Sequence, residues 1–222
     1  MQPPPPPPPP PPRPQLHGYP VRFSVDYPDR DLDRATSFFR LLVAIPILIV
    51  LGVVSGGTWK TTSDTGTTTI IVAGGLLFMA PLLMILFRQK YPRWWFDWNL
   101  ELMRFTNRVT AYLMLMDDRY PSTDEQQSVR LDAAYPDVPR DLNRWMPLVK
   151  WFLAIPHYVV LTFLWIAAFF VVIVAWFAIL FTGRYPRGMF DFVEGVLRWT
   201  VRVEAYSFLL FTDEYPPFSF QA

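Results

Sequence analysis

One 22-residue segment occurs twice in this chain, and the spacing of its charged and aromatic residues is kept. The first copy, residues 91–112, reads YPRWWFDWNLELMRFTNRVTAY, and the second, residues 185–206, reads YPRGMFDFVEGVLRWTVRVEAY. The stretch VRFSVDYPD at 21–29 likewise returns as VRLDAAYPD at 129–137. Because whole stretches recur in the same order, the sequence indicates a tandem duplication, and each half should fold alike.

Apolar segments precede each signature copy and set the expected fold class. Of the 222 residues, 52% are hydrophobic and only 18% are charged, which is typical of a membrane protein. We therefore predict a mainly α, integral membrane protein with four transmembrane helices in two tandem hairpins. The predicted division is a polyproline tail at 1–18, a first repeat at 19–121 with spans at about 41–58 and 70–87, and a second repeat at 122–222 with spans at about 146–164 and 167–184.

The second apolar region is the difficult part of this assignment. Residues 151–181 are apolar apart from His157 and Thr162. As a single helix they would be about 46 Å long, whereas the hydrocarbon core of a bilayer is about 30 Å thick. Since residues 55–69 read as a loop between two spans in the first repeat, the duplication favours two passes here as well, with a tight turn near 163–168.

The remaining elements follow from periodicity. Apolar and polar residues alternate in 21–29 and again in 129–137, which predicts two short strands. The signature copies predict two amphipathic helices, at about 93–116 and 188–210, that lie at the membrane interface. On each helix, charged side chains form a narrow stripe opposite a broad aromatic and aliphatic face.

Two interpretations of the charged stripe remain open. In the structural one, the acids favour the helix N-termini and the arginines meet acids of the strands or lipid headgroups. In the functional one, the arginines form forks that hold a phosphate or carboxylate. The candidate lipid- or partner-binding residues are Asp97, Arg104, Arg108, Tyr112, Asp191, Arg198, Arg202 and Tyr206.

Orientation follows from the distribution of the basic residues. Of the 20 Lys and Arg residues, ten lie between the two hairpins at 88–150, whereas the first hairpin loop contains only Lys60. The positive-inside rule then places both termini, both strands and both signatures in the cytoplasm. The N-terminal run of ten prolines, residues 3–12, is expected to be a solvated polyproline II segment.

Several classes of function receive no support from the sequence. The net charge is only +1, which gives no basic field for a nucleic acid partner. Cysteine is absent, and His157 is the only histidine outside the N-terminal tail, so we predict no metal site and no cofactor. We find no hydrolase, phosphate-binding or dinucleotide-binding motif, and we assign no catalytic residue.

The assembled motifs resemble a family of small bacterial membrane proteins known only as a domain of unknown function. The resemblance rests on YPRxxFD, on the following RWTVRVEAY, and on the ending LLFTDEYPPF. It extends over roughly residues 19–218 and implies a bacterial cytoplasmic (inner) membrane, but no activity. The first copy departs at its end, where MDDRYPS replaces FTDEYPP.

We therefore expect a non-enzymatic membrane scaffold or accessory protein that binds a protein partner or an anionic phospholipid at its cytoplasmic face. The alternative is a small transporter or flippase-like protein, with a path between the repeats near the helix breaks at Pro46 and Pro156. A weaker third hypothesis is a lipid-modifying enzyme that uses Asp97 or Asp191 as a base.

Overall fold

The computed structural model describes residues 18–55, 58–62, 68–72, 74–123 and 125–221. The fold is mainly helical with small two-stranded sheets, and the polyproline segment lies outside the described residues. The elements in chain order are β1 (Val21–Val25), α1 (Arg34–Phe38), α2 (Arg40–Ser55), β2 (Thr58–Thr62), β3 (Thr68–Val72), α3 (Gly74–Arg88), α4 (Arg93–Leu113), β4 (Val129–Ala133), α5 (Val138–Asp141), α6 (Met146–Leu153), α7 (Ile155–Thr182) and α8 (Arg187–Ser207).

The strands β1 and β4 form an antiparallel pair that joins the two halves of the chain. Their alternate apolar residues are buried, as the period-two pattern predicts. Asp26 N–H donates to the Ser128 carbonyl, and Phe23 lies opposite Leu131 in the same register. Hydrogen-bonded and non-hydrogen-bonded pairs alternate in such a ladder, so the Phe23 and Leu131 carbonyls point away from each other, toward the two free edges of the sheet.

The fold has three layers, of which this sheet is the first. The middle layer is α4 and α8, the two signature helices, and each packs beneath one strand. Arg198 on α8 reaches the Phe23 carbonyl of β1, while Thr200, on the opposite side of α8, accepts a hydrogen bond from the Trp165 indole of α7 at 3.1 Å. The third layer is therefore α7 beneath α8, and α2 beneath α4.

Matching apolar clusters fix the third layer to the second. In the first half, Ala44 and Ile47 of α2 pack with Phe105, Val109 and Tyr112 of α4. In the second half, the cluster contains the side chains Ala154, Leu161, Trp199 and Val203. Small alanines at matching positions allow both helix pairs to approach closely.

The largest correction concerns residues 151–181. The predicted turn at 163–168 is wrong, since α7 runs unbroken from Ile155 to Thr182, a length of about 42 Å. A short helix, α6, precedes it, and Ala154, two residues before Pro156, separates the two helices. The first half has a Thr- and Gly-rich insertion between its apolar segments, and the second half does not, so the duplication could not supply a turn.

The four predicted transmembrane helices are not found. Helices α2 and α3 have 16 and 15 residues, or about 24 and 22 Å. Between them β2 and β3 form an antiparallel hairpin where a loop and the start of a span were predicted. In the described part of the chain, α7 alone is long and apolar enough to cross a membrane. Such a helix is weak evidence for membrane association by itself, because core helices of soluble proteins share these properties.

The signature helices also differ from their predicted setting. Both are 21 residues long and amphipathic. Their apolar faces pack on α2 and α7, although Trp94 and Trp98 near the start of α4 are exposed. The arginines of their charged stripes lie against the sheet. The amphipathic pattern was correct, and in the structure it belongs to a middle layer between two others.

Candidate functional site

The first arginine of the first signature binds the free edge of β4. Arg104 Nε donates to the Leu131 carbonyl at 2.8 Å, and its two terminal nitrogens reach Asp132 at 3.1 Å and Glu101 at 2.6 Å. A guanidinium has five N–H donors in a fixed fork and can serve three acceptors at once. Arg104 thus satisfies one carbonyl at the outer edge of β4, and the rest of that edge stays open.

Arg198 makes the matching contact on the other edge of the sheet. Its Nε donates to the Phe23 carbonyl at 2.9 Å, one terminal nitrogen donates to the Phe220 carbonyl at 2.6 Å, and the other pairs with Glu194. Since Phe23 lies opposite Leu131 across the two strands, Arg104 and Arg198 cover opposite edges. Each signature helix therefore holds the strand of the other half.

The second arginine of each copy is buried and binds backbone carbonyls. Arg108 Nη1 donates to the Ser122 carbonyl at 2.9 Å. Arg202 donates to the Ser219 carbonyl at 3.2 Å and also to the Gln221 carbonyl. The four signature arginines form two separate pairs, one at each edge of the sheet, and do not converge on a shared pocket.

The signature tyrosines sit beneath buried cations that the sequence analysis did not single out. The Arg40 guanidinium lies 4.2 Å from the centre of the Tyr112 ring, and the Lys150 ammonium lies 5.0 Å from the centre of the Tyr206 ring. Burial raises the pKa of both tyrosines, that of Tyr206 to about 12. These rings are neutral and act as cation–π partners.

The two buried cations hold the chain segments that follow the signatures. Arg40 donates to the Tyr112 carbonyl at 2.9 Å and to the Asp117 carbonyl beyond the signature, and it is only 2% exposed. Lys150 is fully buried, donates to the Thr212 carbonyl at 2.6 Å and pairs with Asp213 at 2.7 Å. Burial lowers the pKa of Lys150, while Asp213 acts in the opposite direction. A single basic residue at the start of each apolar segment was the signal in the sequence.

Asp97 and Asp191 do not cap the signature helices. The N-cap residues are Pro92 and Pro186, and neither has a capping side chain. Asp97 is exposed and lies 3.9 Å from Arg93, and Asp191 is exposed as well. Both carboxylates therefore face solvent on the outside of their helices.

Two tyrosines that follow the strands β1 and β4 make a further matched pair of contacts, which sequence reasoning missed. Tyr27 donates its hydroxyl to the Tyr185 carbonyl at 2.6 Å, and Tyr135 donates to the Tyr91 carbonyl. Each ring also makes a cation–π contact with an arginine of a YPR segment. The Arg187 guanidinium lies 4.4 Å from the Tyr27 ring centre, and that of Arg93 lies 5.4 Å from the Tyr135 ring centre. The YPR segments thus anchor each signature to the strand of the other half.

An open cleft runs along the free edge of β4, and we call it the arginine cleft. Its volume is about 630 Å³. Arg108 is 93% buried and forms part of its wall, and a carboxylate on either side limits its net charge. The lining residues are Glu101, Arg104, Arg108, Gln126, Gln127, Val129, Arg130, Leu131 and Asp132. Of the predicted site residues, Arg104 and Arg108 line it.

His157 is a packing residue in the third layer. Its Nδ1 accepts a hydrogen bond from the Trp199 indole at 3.0 Å, and its ring stacks on Phe218 with the ring centres 4.0 Å apart. Because the indole is only a donor, the imidazole is neutral with its proton on Nε2. Within the described residues, no group of three His, Asp or Glu side chains could hold a metal ion.

Comparison with known proteins gives one match. Residues 144–219 match a family described as a domain of unknown function (DUF4389). No curated protein and no solved structure matches the chain. The matched region begins just before α6 and ends beyond α8, so it contains the second signature and the segment that follows, and the first signature lies outside it. The match is consistent with an uncharacterised family.

Proposed function

We propose that this chain is a non-enzymatic scaffold protein, embedded in a membrane by one apolar face and binding a partner on the opposite, polar face. The observation that carries the proposal is the exposure of the third layer. Large apolar side chains of α2, α6 and α7 face outward, including Leu41, Phe152, Phe163 and Phe181, which are 68–79% exposed. We call this surface the apolar face, and the sheet with the arginine cleft the polar face.

The burial pattern of α7 supports contact with lipid. Its buried positions Leu161, Ala168 and Ala175 are seven residues apart, which is a narrow seam against α8. Most of the remaining surface of α7 is exposed and apolar, among it the rings of Phe163 and Phe170. Soluble proteins rarely expose an apolar surface of this extent. In the hydrocarbon region of a membrane these side chains would not contact water, so the free-energy cost of exposing them would be removed.

We infer that α7 lies along the bilayer and does not cross it. Near its start, His157 contacts Trp199 at 3.0 Å, and at its end the Gly183 carbonyl accepts from the Leu32 N–H at 2.7 Å. Both contacts are to the same folded body, which contains the charged helix α8 and the sheet. A crossing helix would carry one of its ends, and the attached polar groups, to the other side.

This placement keeps both termini on one side of the membrane. The excess of Lys and Arg residues between the halves favours the cytoplasmic side, and the resemblance in the sequence favours a bacterial inner membrane. We also infer that the chain arose by duplication. The paired contacts of Arg104 with Arg198, and of Tyr27 with Tyr135, support that view.

A protein partner is favoured over an anionic phospholipid at the polar face. The signature arginines already bind carbonyl and carboxylate oxygens within the protein. They lie on the side of the middle layer that faces the sheet, away from the apolar face. Headgroups would be nearer to the third layer. The arginine cleft, in contrast, is open at the edge of a strand, where extended peptides commonly bind.

Site-directed spin labelling tests the membrane placement, because the chain has no native cysteine. We expect labels at Phe163→Cys, Phe170→Cys and Phe177→Cys in lipid nanodiscs to be accessible to oxygen and shielded from a water-soluble nickel complex. The three positions are seven residues apart on one face of α7, so an in-plane helix gives them similar depths. The control label, Arg130→Cys on the polar face, should show the reverse accessibility.

Two results would reject this placement. Nickel access at all three α7 positions would mean that the apolar face is not in lipid. A steady depth gradient from residue 163 to residue 177, reaching the bilayer centre, would mean that α7 crosses the membrane.

A further inference from the structure

The C-terminal segment, residues 218–221, is bound to the second arginine pair as a peptide ligand would be. The carbonyls of Ser219 and Gln221 accept from Arg202, and the carbonyl of Phe220 accepts from Arg198. The segment is thus held through its backbone, with successive carbonyl oxygens on guanidinium donors. We call it the C-terminal tail.

The arginine cleft is the matching position in the first half, and it is open. Arg104 corresponds to Arg198, and Arg108 to Arg202, in the two signature copies. Within the described residues Arg108 donates to one carbonyl, that of Ser122, whereas Arg202 donates to two. The cleft follows the free edge of β4, where outward N–H groups of the strand add further donors. The cleft therefore offers hydrogen-bond donors, and a ligand that fits it should supply hydrogen-bond acceptors.

One substitution between the copies restricts what the cleft can hold. Gly195 lets the Phe220 side chain lie directly on α8, since a Cβ there would be only 2.9 Å from that side chain. The matching residue in the first copy is Glu101, which fills this space and pairs with Arg104. An aromatic side chain cannot occupy the cleft as Phe220 occupies its site. The C-terminal tail of a second copy is thus a poor ligand for it.

We propose that the arginine cleft is a site for a polyproline II peptide and that residues 3–12 of this chain occupy it. This inference rests on the binding role proposed for the polar face. A polyproline segment has free carbonyl oxygens and no backbone N–H, so it presents acceptors alone. Its side chains are compact rings that do not need the space that Glu101 fills in the cleft.

The segments that Arg108 and Arg202 already bind also present backbone carbonyls close to proline residues. The Ser122 carbonyl on Arg108 follows Pro121, and the Ser219 carbonyl on Arg202 follows Pro217 by two residues. Proline fixes the backbone in an extended conformation with its carbonyls exposed. The arginine pairs thus already bind carbonyls from proline-containing chain.

The proline run is long enough to reach the cleft. Tyr19 donates its hydroxyl to the Glu214 carbonyl and lies beside Arg202, so the described part of the chain begins on the β1 side. Reaching the cleft means passing along β1 and across to β4, about 17 Å for a five-residue strand. Ten prolines in a polyproline II helix span about 31 Å.

Pulsed electron paramagnetic resonance on the full-length protein tests the proposal. The labels are placed at Pro8→Cys and at Gln126→Cys, an exposed residue on the rim of the cleft. We expect a single narrow distance distribution. The comparison is the same doubly labelled chain with the other prolines of 3–12 replaced by alternating Gly and Ser, for which we expect a broad and longer distribution. This change alters none of the residues that the structure describes.

A second variant isolates the arginine donor. Arg108→Lys keeps the charge but removes the guanidinium fork, and it should broaden the distribution toward that of the Gly–Ser chain. Arg140→Lys, at an exposed position on α5, should leave the distribution narrow. Equal distributions for the proline and Gly–Ser chains would overturn the proposal.

Two further outcomes bear on the same proposal. A narrow distance that appears only when singly labelled chains are mixed would also overturn it, because the occupant would then belong to a second copy. The α7 labels could prove accessible to nickel while the distance between residues 8 and 126 stays narrow. That combination would support the cleft assignment and reject only the membrane placement.

Discussion

His157 and Trp199 illustrate how a polar pair can be tolerated inside an apolar layer. The pair is buried between α7 and α8, and the imidazole is the hydrogen-bond acceptor for the indole. The first half has Ile47 and Phe105 at the matching positions and needs no such bond. The two halves thus use different solutions for the same contact, one polar and one apolar.

This difference gives a prediction for the stability of the protein. His157→Ile removes the acceptor and leaves the buried Trp199 N–H without a partner, which should lower the free energy of unfolding by about 1–3 kcal/mol. Adding Trp199→Phe removes the donor and should restore most of that loss. The measurement is thermal unfolding in detergent. A double variant no more stable than His157→Ile would contradict the hydrogen-bond account.

Glu204 makes stability depend on pH. Burial raises the pKa of Glu204 to about 7 from an ordinary value of 4.5. The folded state then binds more protons than the unfolded state between these two values, so stability should fall as the pH rises from about 4.5 to about 7. The expected loss is on the order of 3 kcal/mol.

Glu204→Gln should remove this fall, because glutamine does not titrate. Unfolding midpoints measured at several pH values in one detergent would show a flatter profile for the variant. Glu125→Gln, at an exposed position, is the control and should follow the parent chain. Parallel profiles for the parent and Glu204→Gln would show that the carboxyl is hydrated in the folded state.

At the scale of elements, the C-terminal tail is held on α8 by a close approach that only glycine permits. Gly195→Ala would place a Cβ 2.9 Å from the Phe220 side chain, so the tail must shift. We expect faster amide hydrogen exchange in residues 219–221, with α8 itself unchanged. Gly188→Ala, on the same helix with nothing within 4 Å of its Cβ, is the matched control.

The outcome for Gly188→Ala is also defined. Alanine is favoured over glycine within a helix by up to about 1 kcal/mol, so this variant should be slightly more stable and its tail should exchange at the parent rate. Equal exchange in both variants would mean that Phe220 does not depend on the space above Gly195.

The elements that could be predicted are those whose periodicity is local. Alternation of apolar residues gave β1 and β4, and the charged stripe gave α4 and α8. The apolar segments were misjudged, because an uninterrupted apolar run is compatible with one long helix or two short passes. The contacts of Arg104 and Arg198 could not be foreseen, since they depend on which strand each helix meets. Arg40 and Lys150 were missed because a lone cation at a helix start does not reveal the carbonyls it will bind.

At the scale of the molecule, the two faces separate cleanly by chemistry. The polar face carries the sheet and the arginine cleft, and the apolar face carries rings that project from α7. This separation predicts that membrane binding can be removed without disturbing the sheet. Phe163→Glu, Phe170→Glu and Phe177→Glu change only exposed positions on α7.

The triple variant should lose its affinity for liposomes in a flotation assay. Burying one such ring contributes about 1.5–3 kcal/mol, and three charges at the same depth oppose insertion. A control with Ser24→Glu and Arg130→Glu on the polar face should float as the parent does. Flotation of the triple variant at the parent level would show that α7 does not contact lipid.

The pairing of β1 with β4 has a consequence for synthesis of the chain. Strand β1 leaves the ribosome before its partner, which begins more than a hundred residues later, and the arginine that binds its outer edge is 175 residues from Phe23. Until α8 has been made, β1 presents an uncovered edge and the first half has no completed sheet. The two halves resemble each other in sequence, but the first half cannot complete its fold before α8 of the second half has been translated.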